Sequence, residues 1–167
     1  VVMKQSGYRS TDDPAQADVL IVNTCGFLQV ARHESENALR ELAALKAPGQ
    51  ILVAAGCLPQ RYGNQVLNDI PGIDGIIGTK QWTQIARFAN SLRQRRIKMQ
   101  DRVRLGDLDG DGLVATVGRS ARPSTGSGRA LPSAYVKIGD GCSAPCAFCT
   151  IPSFKGLQKS KPREQVL

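Results

Sequence analysis

Three short apolar runs, each followed by a helical pattern, set the fold class of this chain. The runs are ADVLIVNT (17–24), ILVAAG (51–56) and DGIIGT (74–79), and they have the β-branched content of strands buried on both faces. Helical patterns follow at 29–46, 64–70 and 81–96, and Pro48-Gly49 closes the first of them. This βαβα order predicts an α/β fold with a Rossmann-like parallel sheet and right-handed crossovers.

The regular pattern stops near residue 96 and resumes close to the carboxyl end. Residues 104–133 are rich in Gly, Ser, Asp and Pro, which is typical of a connector or an exposed loop. AYVKI (134–138) then has the composition of a new strand. We predict a first domain over 1–100, a linker over 101–132 and the beginning of a second domain over 133–167. The chain opens without methionine and Pro162 resembles a first helical position, so we expect a fragment of a longer protein.

Composition and charge exclude several classes of protein. The longest apolar run, near 19–22, is far shorter than the ~20 residues of a membrane span, and no leader pattern is visible. We therefore expect a cytoplasmic, reducing location, where the five cysteines serve metal or redox chemistry rather than disulfides. The net charge of +8 gathers at 93–104 and 155–163. We prefer to interpret these runs as solvated faces rather than as a nucleic-acid surface, because no aromatic residue interleaves the first run.

Two cysteines stand at the ends of predicted strands. Cys25 follows the first strand directly and Cys57 follows the second. The carboxyl ends of parallel strands meet at one edge, where open α/β sheets bind ligands, so both thiols are predicted to reach one site. The alternative is that each cysteine is a small buried apolar residue. Their matched positions favour the ligand interpretation.

The other three cysteines, Cys142, Cys146 and Cys149, have a C-x3-C-x2-C spacing in GDGCSAPCAFCTIP (139–152). A closed zinc site takes four ligands, and the single histidine, His33, lies in another segment. The ferredoxin spacing C-x2-C-x2-C is also not met. Three thiolates on a four-iron cluster leave one iron open to bind a substrate.

The trio resembles the signature of the radical S-adenosylmethionine enzymes, C-x3-C-x-aromatic-C, with Phe148 as the aromatic residue. The resemblance implies that Cys142, Cys146 and Cys149 hold a [4Fe-4S] cluster whose open iron binds S-adenosyl-L-methionine. It also implies that Phe148 packs near the nucleotide. The strand before the trio would then be the first strand of a truncated radical SAM β/α barrel. The cofactor carries the radical chemistry, and the protein positions it.

The amino-terminal half resembles the methylthiotransferase branch of that family. In NTCGF and GC, Cys25 and Cys57 match two ligands of an auxiliary [4Fe-4S] cluster, and we expect the third ligand upstream of Val1. GCLPQRY (56–62) is closest to the ribosomal-protein aspartate methylthiotransferases. Lys155 and Lys161 depart from that pattern, because members of the family tend to carry arginine there. A lysine keeps the charge but loses bidentate recognition.

The resemblance implies addition of a methylthio group to the β-carbon of an aspartate in a small-subunit ribosomal protein. It further implies two [4Fe-4S] clusters, S-adenosyl-L-methionine, a reductant such as flavodoxin or ferredoxin, and no membrane partner. The fragment by itself is expected to be inactive. One alternative is a tRNA adenosine methylthiotransferase of the isopentenyladenosine type. Another, from a different class, is a non-catalytic zinc or iron-sulfur electron-transfer module.

Overall fold

The computed structural model describes residues 2–94, 99–106 and 138–166. Its helices are α1 (Val2–Gln5), α2 (Gln29–Leu45), α3 (Cys57–Tyr62), α4 (Gln65–Asp69), α5 (Ile85–Arg93), α6 (Ile151–Lys155) and α7 (Arg163–Val166). Its strands are β1 (Val19–Thr24), β2 (Ile51–Gly56), β3 (Gly75–Gly78), β4 (Val103–Arg104), β5 (Gly139–Asp140) and β6 (Lys159–Ser160).

The main sheet is parallel and has the strand order β1-β2-β3-β4. β1 and β2 pair over their full length, from Val19 opposite Ile51 to Thr24 opposite Gly56. β3 then pairs with the second half of β2, and its last residue, Gly78, lies opposite Gly56. The prediction of an α/β parallel sheet with flanking helices is confirmed.

The core lies on both faces of this sheet, because neighbouring residues of β2 point to opposite sides. Leu52 packs with the α2, α3 and α4 side, where Leu39 and Leu58 are also buried. Val53 packs with the α1 and α5 side, where Phe88 is buried. Burial on both faces explains why the strand sequences are continuous apolar runs rather than alternating ones.

Among the short elements that the sequence did not predict, α3 and β4 adjoin the main sheet. α3 begins at Cys57 itself, directly after β2, ahead of the helix predicted at 64–70, which is α4. β4 lies inside the stretch predicted as a linker and pairs with the middle of β3. The guanidinium of Arg102 holds it there by donating from Nε to the Asp74 carbonyl at 2.6 Å and from Nη2 to the Ile73 carbonyl.

The carboxyl-terminal segment forms a small hairpin in which β5 and β6 pair antiparallel. Most of the predicted strand AYVKI, and residues 107–132 of the predicted linker, lie outside the described residues. Within the described part, α6 packs against α3 and buries Phe154. No helix in the described ranges has the length and apolar character needed to cross a membrane.

Candidate functional site

The two strand-end cysteines lie at the same edge of the sheet. Thr24 is paired with Gly56, so the residues that follow them, Cys25 and Cys57, leave neighbouring parallel strands side by side. The expectation that both follow adjacent strands is confirmed. The two segments approach each other closely at the residue after Cys25, because a Cβ placed on Gly26 would stand only 2.7 Å from the Cys57 carbonyl oxygen. Residues 25–27 are called the first cysteine turn below.

The end of β2 requires glycine. Gly56 has a φ of +114°, a conformation that residues with a side chain rarely adopt. A Cβ at this position would also lie 2.7 Å from the carbonyl oxygen of Thr24. The Gly-Cys order at the strand end therefore follows from geometry: glycine allows the sharp turn, and Cys57 is then the first residue of α3.

Two side chains hold the first cysteine turn. The Cys25 amide donates to Ser35 Oγ at 3.1 Å, and the Ser35 hydroxyl donates to the Ala31 carbonyl at 2.7 Å. Ser35 is buried on α2, so this helix fixes the first cysteine turn. Arg61, on α3, donates from Nη1 to the Gly26 carbonyl at 2.7 Å. The two cysteine-bearing segments are thus tied together by backbone contact and by a charge-assisted hydrogen bond.

Two arginines next to the first cysteine turn make cation–π contacts with Tyr62. The guanidinium carbon lies 4.2 Å from the ring centroid for Arg32 and 5.1 Å for Arg61. Arg32 also forms an ion pair with Glu36 at 2.6 Å, and this bond raises the pKa of Arg32. In the sequence, Arg61 and Tyr62 are visible only as parts of the motif GCLPQRY. Their positions relative to the cysteines depend on tertiary packing.

The pKa of the Cys57 thiol is raised above its ordinary value. Burial is the main cause that raises its pKa, and the nearby Cys25 and Asp140 act in the same direction. The ammonium of Lys155 and a hydrogen bond from the Gly26 amide act in the opposite direction by favouring the thiolate. Cys57 therefore sits where the first cysteine turn and the carboxyl-terminal hairpin meet.

The trio lies in the loop between β5 and α6, which we call the trio loop (residues 141–150). Cys142 and Cys149 are half-buried, whereas Cys146 is exposed. The Cys142 amide donates to the Gly156 carbonyl at 3.1 Å and the Cys149 amide to the Cys146 carbonyl at 3.1 Å. The ring of Phe148 is 90% exposed, so nothing in the described residues covers it.

All five cysteines are free thiols. The described residues do not bring three side chains of His, Cys, Asp or Glu together as ligands for a metal ion. His33 is exposed on α2, with Nδ1 3.9 Å from Glu36 Oε2. The donor set available to a metal is therefore thiolate. Thiolate ligands suit iron-sulfur clusters, so the residues present fit that group.

The two lysines that depart from the expected pattern both lie in the carboxyl-terminal segment, Lys155 at the end of α6 and Lys161 directly after β6. Lys155 Nζ lies 3.3 Å from Asp140 Oδ1. Lys161 is buried, and its amide donates to the Ile138 carbonyl at 2.8 Å. The ion pair between Lys155 and Asp140 needs only one N···O contact, so a lysine can form it without the two parallel donors that an arginine would offer.

Comparison with known proteins agrees with this arrangement. Residues 1–78 match the family described as Uncharacterized protein family UPF0004. A protein of Chloroflexus aurantiacus named Ribosomal protein uS12 methylthiotransferase RimO is 38% identical over 99% of this chain and 37% of its own length. Proteins of the same name from Anaeromyxobacter sp. (strain Fw109-5) and Herpetosiphon aurantiacus are 39% and 36% identical, over 97% and 99% of this chain and 32% and 39% of their own lengths.

The chain thus spans about a third of the length of the curated relatives it matches. The resemblance predicted from the cysteine motifs is confirmed: residues 1–78 match the UPF0004 family, and nearly the whole chain is similar to proteins named ribosomal protein uS12 methylthiotransferase.

Proposed function

We propose that this chain is part of a radical SAM methylthiotransferase whose substrate is ribosomal protein uS12. The observation that carries the proposal is the pairing of Cys25 and Cys57 at one sheet edge, directly beside the segment that bears the cysteine trio. Similarity over almost the entire chain to proteins named uS12 methylthiotransferase supports the choice of substrate. The relatives compared above all bear the uS12 name, which favours this substrate over the tRNA adenosine alternative.

Cys25 and Cys57 would supply two thiolates to an auxiliary [4Fe-4S] cluster. Ser35 and Arg61 orient these cysteines by fixing the backbone on either side of Cys25. The neutral thiol of Cys57 must lose its proton when metal binds, and the Lys155 ammonium favours that loss. The protein thus holds the first cysteine turn rigid before any metal arrives, which reduces the ordering cost of binding.

Cys142, Cys146 and Cys149 would hold the second [4Fe-4S] cluster, with Phe148 beside the S-adenosyl-L-methionine nucleotide. Together, such a cluster and S-adenosyl-L-methionine supply the reductive chemistry that opens an unactivated C–H bond. The trio loop contributes three ligands from a short span, and the hydrogen bond from Cys142 to Gly156 holds its base. The exposed Phe148 ring is available to pack against a nucleotide.

The reaction we propose places a methylthio group on the β-carbon of an aspartate in uS12. It requires an external electron donor, such as a flavodoxin or ferredoxin, one S-adenosyl-L-methionine as the source of the radical that removes the hydrogen, and a second one for the methyl group. The auxiliary cluster would supply the sulfur atom. We place this activity in the cytoplasm, where ribosomal proteins are accessible. A zinc-only module is disfavoured by the number of ligands, because the trio supplies three thiolates where a closed zinc site takes four, and His33, the chain's single histidine, belongs to another segment.

The test uses the full-length protein, purified without oxygen, and alanine variants of each cysteine. Variants of the trio are expected to abolish 5′-deoxyadenosine formation while keeping the auxiliary iron, since each removes one of three anchors. Variants of Cys25 or Cys57 are expected to keep 5′-deoxyadenosine formation but lose methylthio transfer to a uS12 peptide. His33→Ala serves as the control and should change neither. Zinc in place of iron by metal analysis, or unchanged 5′-deoxyadenosine formation in a trio variant, would sink the proposal.

A further inference from the structure

An ion pair brackets the trio loop. Asp140 stands before the loop at the end of β5, and Lys155 stands after it at the end of α6. Their side chains meet with Lys155 Nζ 3.3 Å from Asp140 Oδ1, and the carboxylate is 11% exposed and the ammonium 22% exposed. Asp140 Oδ1 also accepts from the Gly141 amide at 3.0 Å. The pair therefore closes the base of the loop in a largely desolvated position.

The same pair faces the sheet edge. Helix α6, which ends at Lys155, packs against α3, which begins at Cys57. The charges of both Lys155 and Asp140 reach the Cys57 thiol, with opposite effects on it. The segment that bears the trio and the segment that bears Cys57 are thus in contact through the packing of α6 against α3.

We propose that the Asp140–Lys155 ion pair is a positioning device that holds the trio loop against the Cys57 end of the sheet. A partly buried ion pair is sensitive to the loss of either partner, because the remaining charge stays in a largely desolvated position. Backbone bonds alone fix the loop less firmly, since β5 and β6 are each two residues long. The pair joins the start of the trio loop to the end of α6, the helix that packs against α3.

The consequence for catalysis rests on the proposed function. Sulfur would have to move from the auxiliary cluster at Cys25 and Cys57 to a substrate carbon near the trio, and this transfer needs a fixed short path. Loss of the pair would lengthen that path without removing any cysteine. The contact itself can be measured in the metal-free chain, so the position of the loop and the proposed activity are tested separately.

The experiment uses the full 167-residue chain, reduced and free of metal, with the variants Lys155→Met, Asp140→Asn and the double variant. Hydrogen exchange is followed by mass spectrometry over 139–142 and 151–156. A short bifunctional maleimide is used to link Cys57 to the trio, and linked peptides are quantified. Lys155→Arg keeps the charge and is the rescue variant. Lys46→Met is the matched control, because Lys46 forms a comparable ion pair with Asp74 at 2.6 Å, away from the cysteines.

Each single variant is expected to speed exchange in these peptides roughly tenfold, the effect of losing one hydrogen bond to a charged group. Each should also lower the yield of Cys57–trio links after division by the rate at which a monofunctional maleimide labels Cys57, because both charges also act on the pKa of that thiol. The double variant should be no worse than the more affected single variant, because both remove the same interaction. Lys155→Arg should behave like the unmodified chain, and Lys46→Met should leave the loop unchanged. Exchange and link yields within twofold of the unmodified chain in both single variants would overturn the proposal. Iron content plays no part in this readout, so failure of the proposed function leaves it intact.

Discussion

Replacing Gly26 by alanine tests whether the contact between the two cysteine segments determines their spacing. The added Cβ would lie 2.7 Å from the Cys57 carbonyl oxygen, 2.8 Å from its carbonyl carbon and 3.0 Å from Leu58 Cα. An unstrained carbon–oxygen contact is about 3.3 Å, so the two segments must separate by about 0.6 Å. All the opposing atoms belong to the backbone, and none can rotate away. Gly26 does not have a positive φ, so the entire effect is steric.

Overpacking of this kind costs about 1 to 3 kcal/mol, and we expect the free energy of unfolding to fall by about 2 kcal/mol. Urea denaturation measures this as a lower midpoint with an unchanged slope. Gly49→Ala is the control: Gly49 has a φ of +94° with nothing within 4 Å, so alanine there meets only conformational strain, about 1 kcal/mol.

A second measurement distinguishes the two glycines. Gly26→Ala should also reduce the yield of maleimide links between Cys25 and Cys57, whereas Gly49→Ala should not. A Gly26→Ala protein with the stability and the link yield of the unmodified chain would show that the contact does not determine the spacing.

Arg61, Asp74 and Cys57 provide three more tests. Arg61→Met removes the bond to the first cysteine turn and should lower the unfolding free energy by about 1 kcal/mol, with Arg61→Lys intermediate; an unchanged urea midpoint would contradict this. Asp74→Asn weakens a carboxylate that accepts from an ammonium at 2.6 Å and a β2 amide at 2.7 Å, and should cost about 1 to 2 kcal/mol by the same assay. Burial raises the pKa of Cys57, so iodoacetamide at neutral pH should label it more slowly than the exposed Cys146, and equal rates would refute the direction. Because folding favours the neutral thiol, the stability that Cys57 contributes is present below the ordinary thiol pKa and should be lost as pH rises through its raised value.

The elements that the sequence predicted well are those written in local patterns. β1, β2 and β3 are continuous apolar runs, and α2 has a clear stripe closed by Pro48-Gly49, so their bounds differ from the predicted ones by only a few residues. Cys25 and Cys57 were placed correctly at neighbouring strand ends because that position follows from strand order alone. The spacing of the trio was likewise visible in the chain.

What sequence could not supply depends on contacts between distant segments. β4 has two residues and no apolar run, and only pairing with β3 and the Arg102 bonds make it a strand. Ser35 lies inside a helix, where its hydroxyl has no sequence mark that links it to Cys25. The packing of α6, which ends at Lys155, against α3, which begins at Cys57, joins parts of the chain separated by the whole linker region. Such contacts are set by packing, which a local pattern does not encode.

The parallel register of β1 and β2 also governs when the first cysteine pair comes into existence. Cys25 and Cys57 are separated in the chain by helix α2 and strand β2, so neither can meet the other until β2 has been synthesised and paired. A slip of β2 by one residue would carry Cys57 about 3.3 Å along the sheet and turn its neighbours to the wrong face. The pair therefore forms cooperatively with the sheet during folding, and iron offered to the chain before β2 docks would meet single, unpaired thiols at this edge.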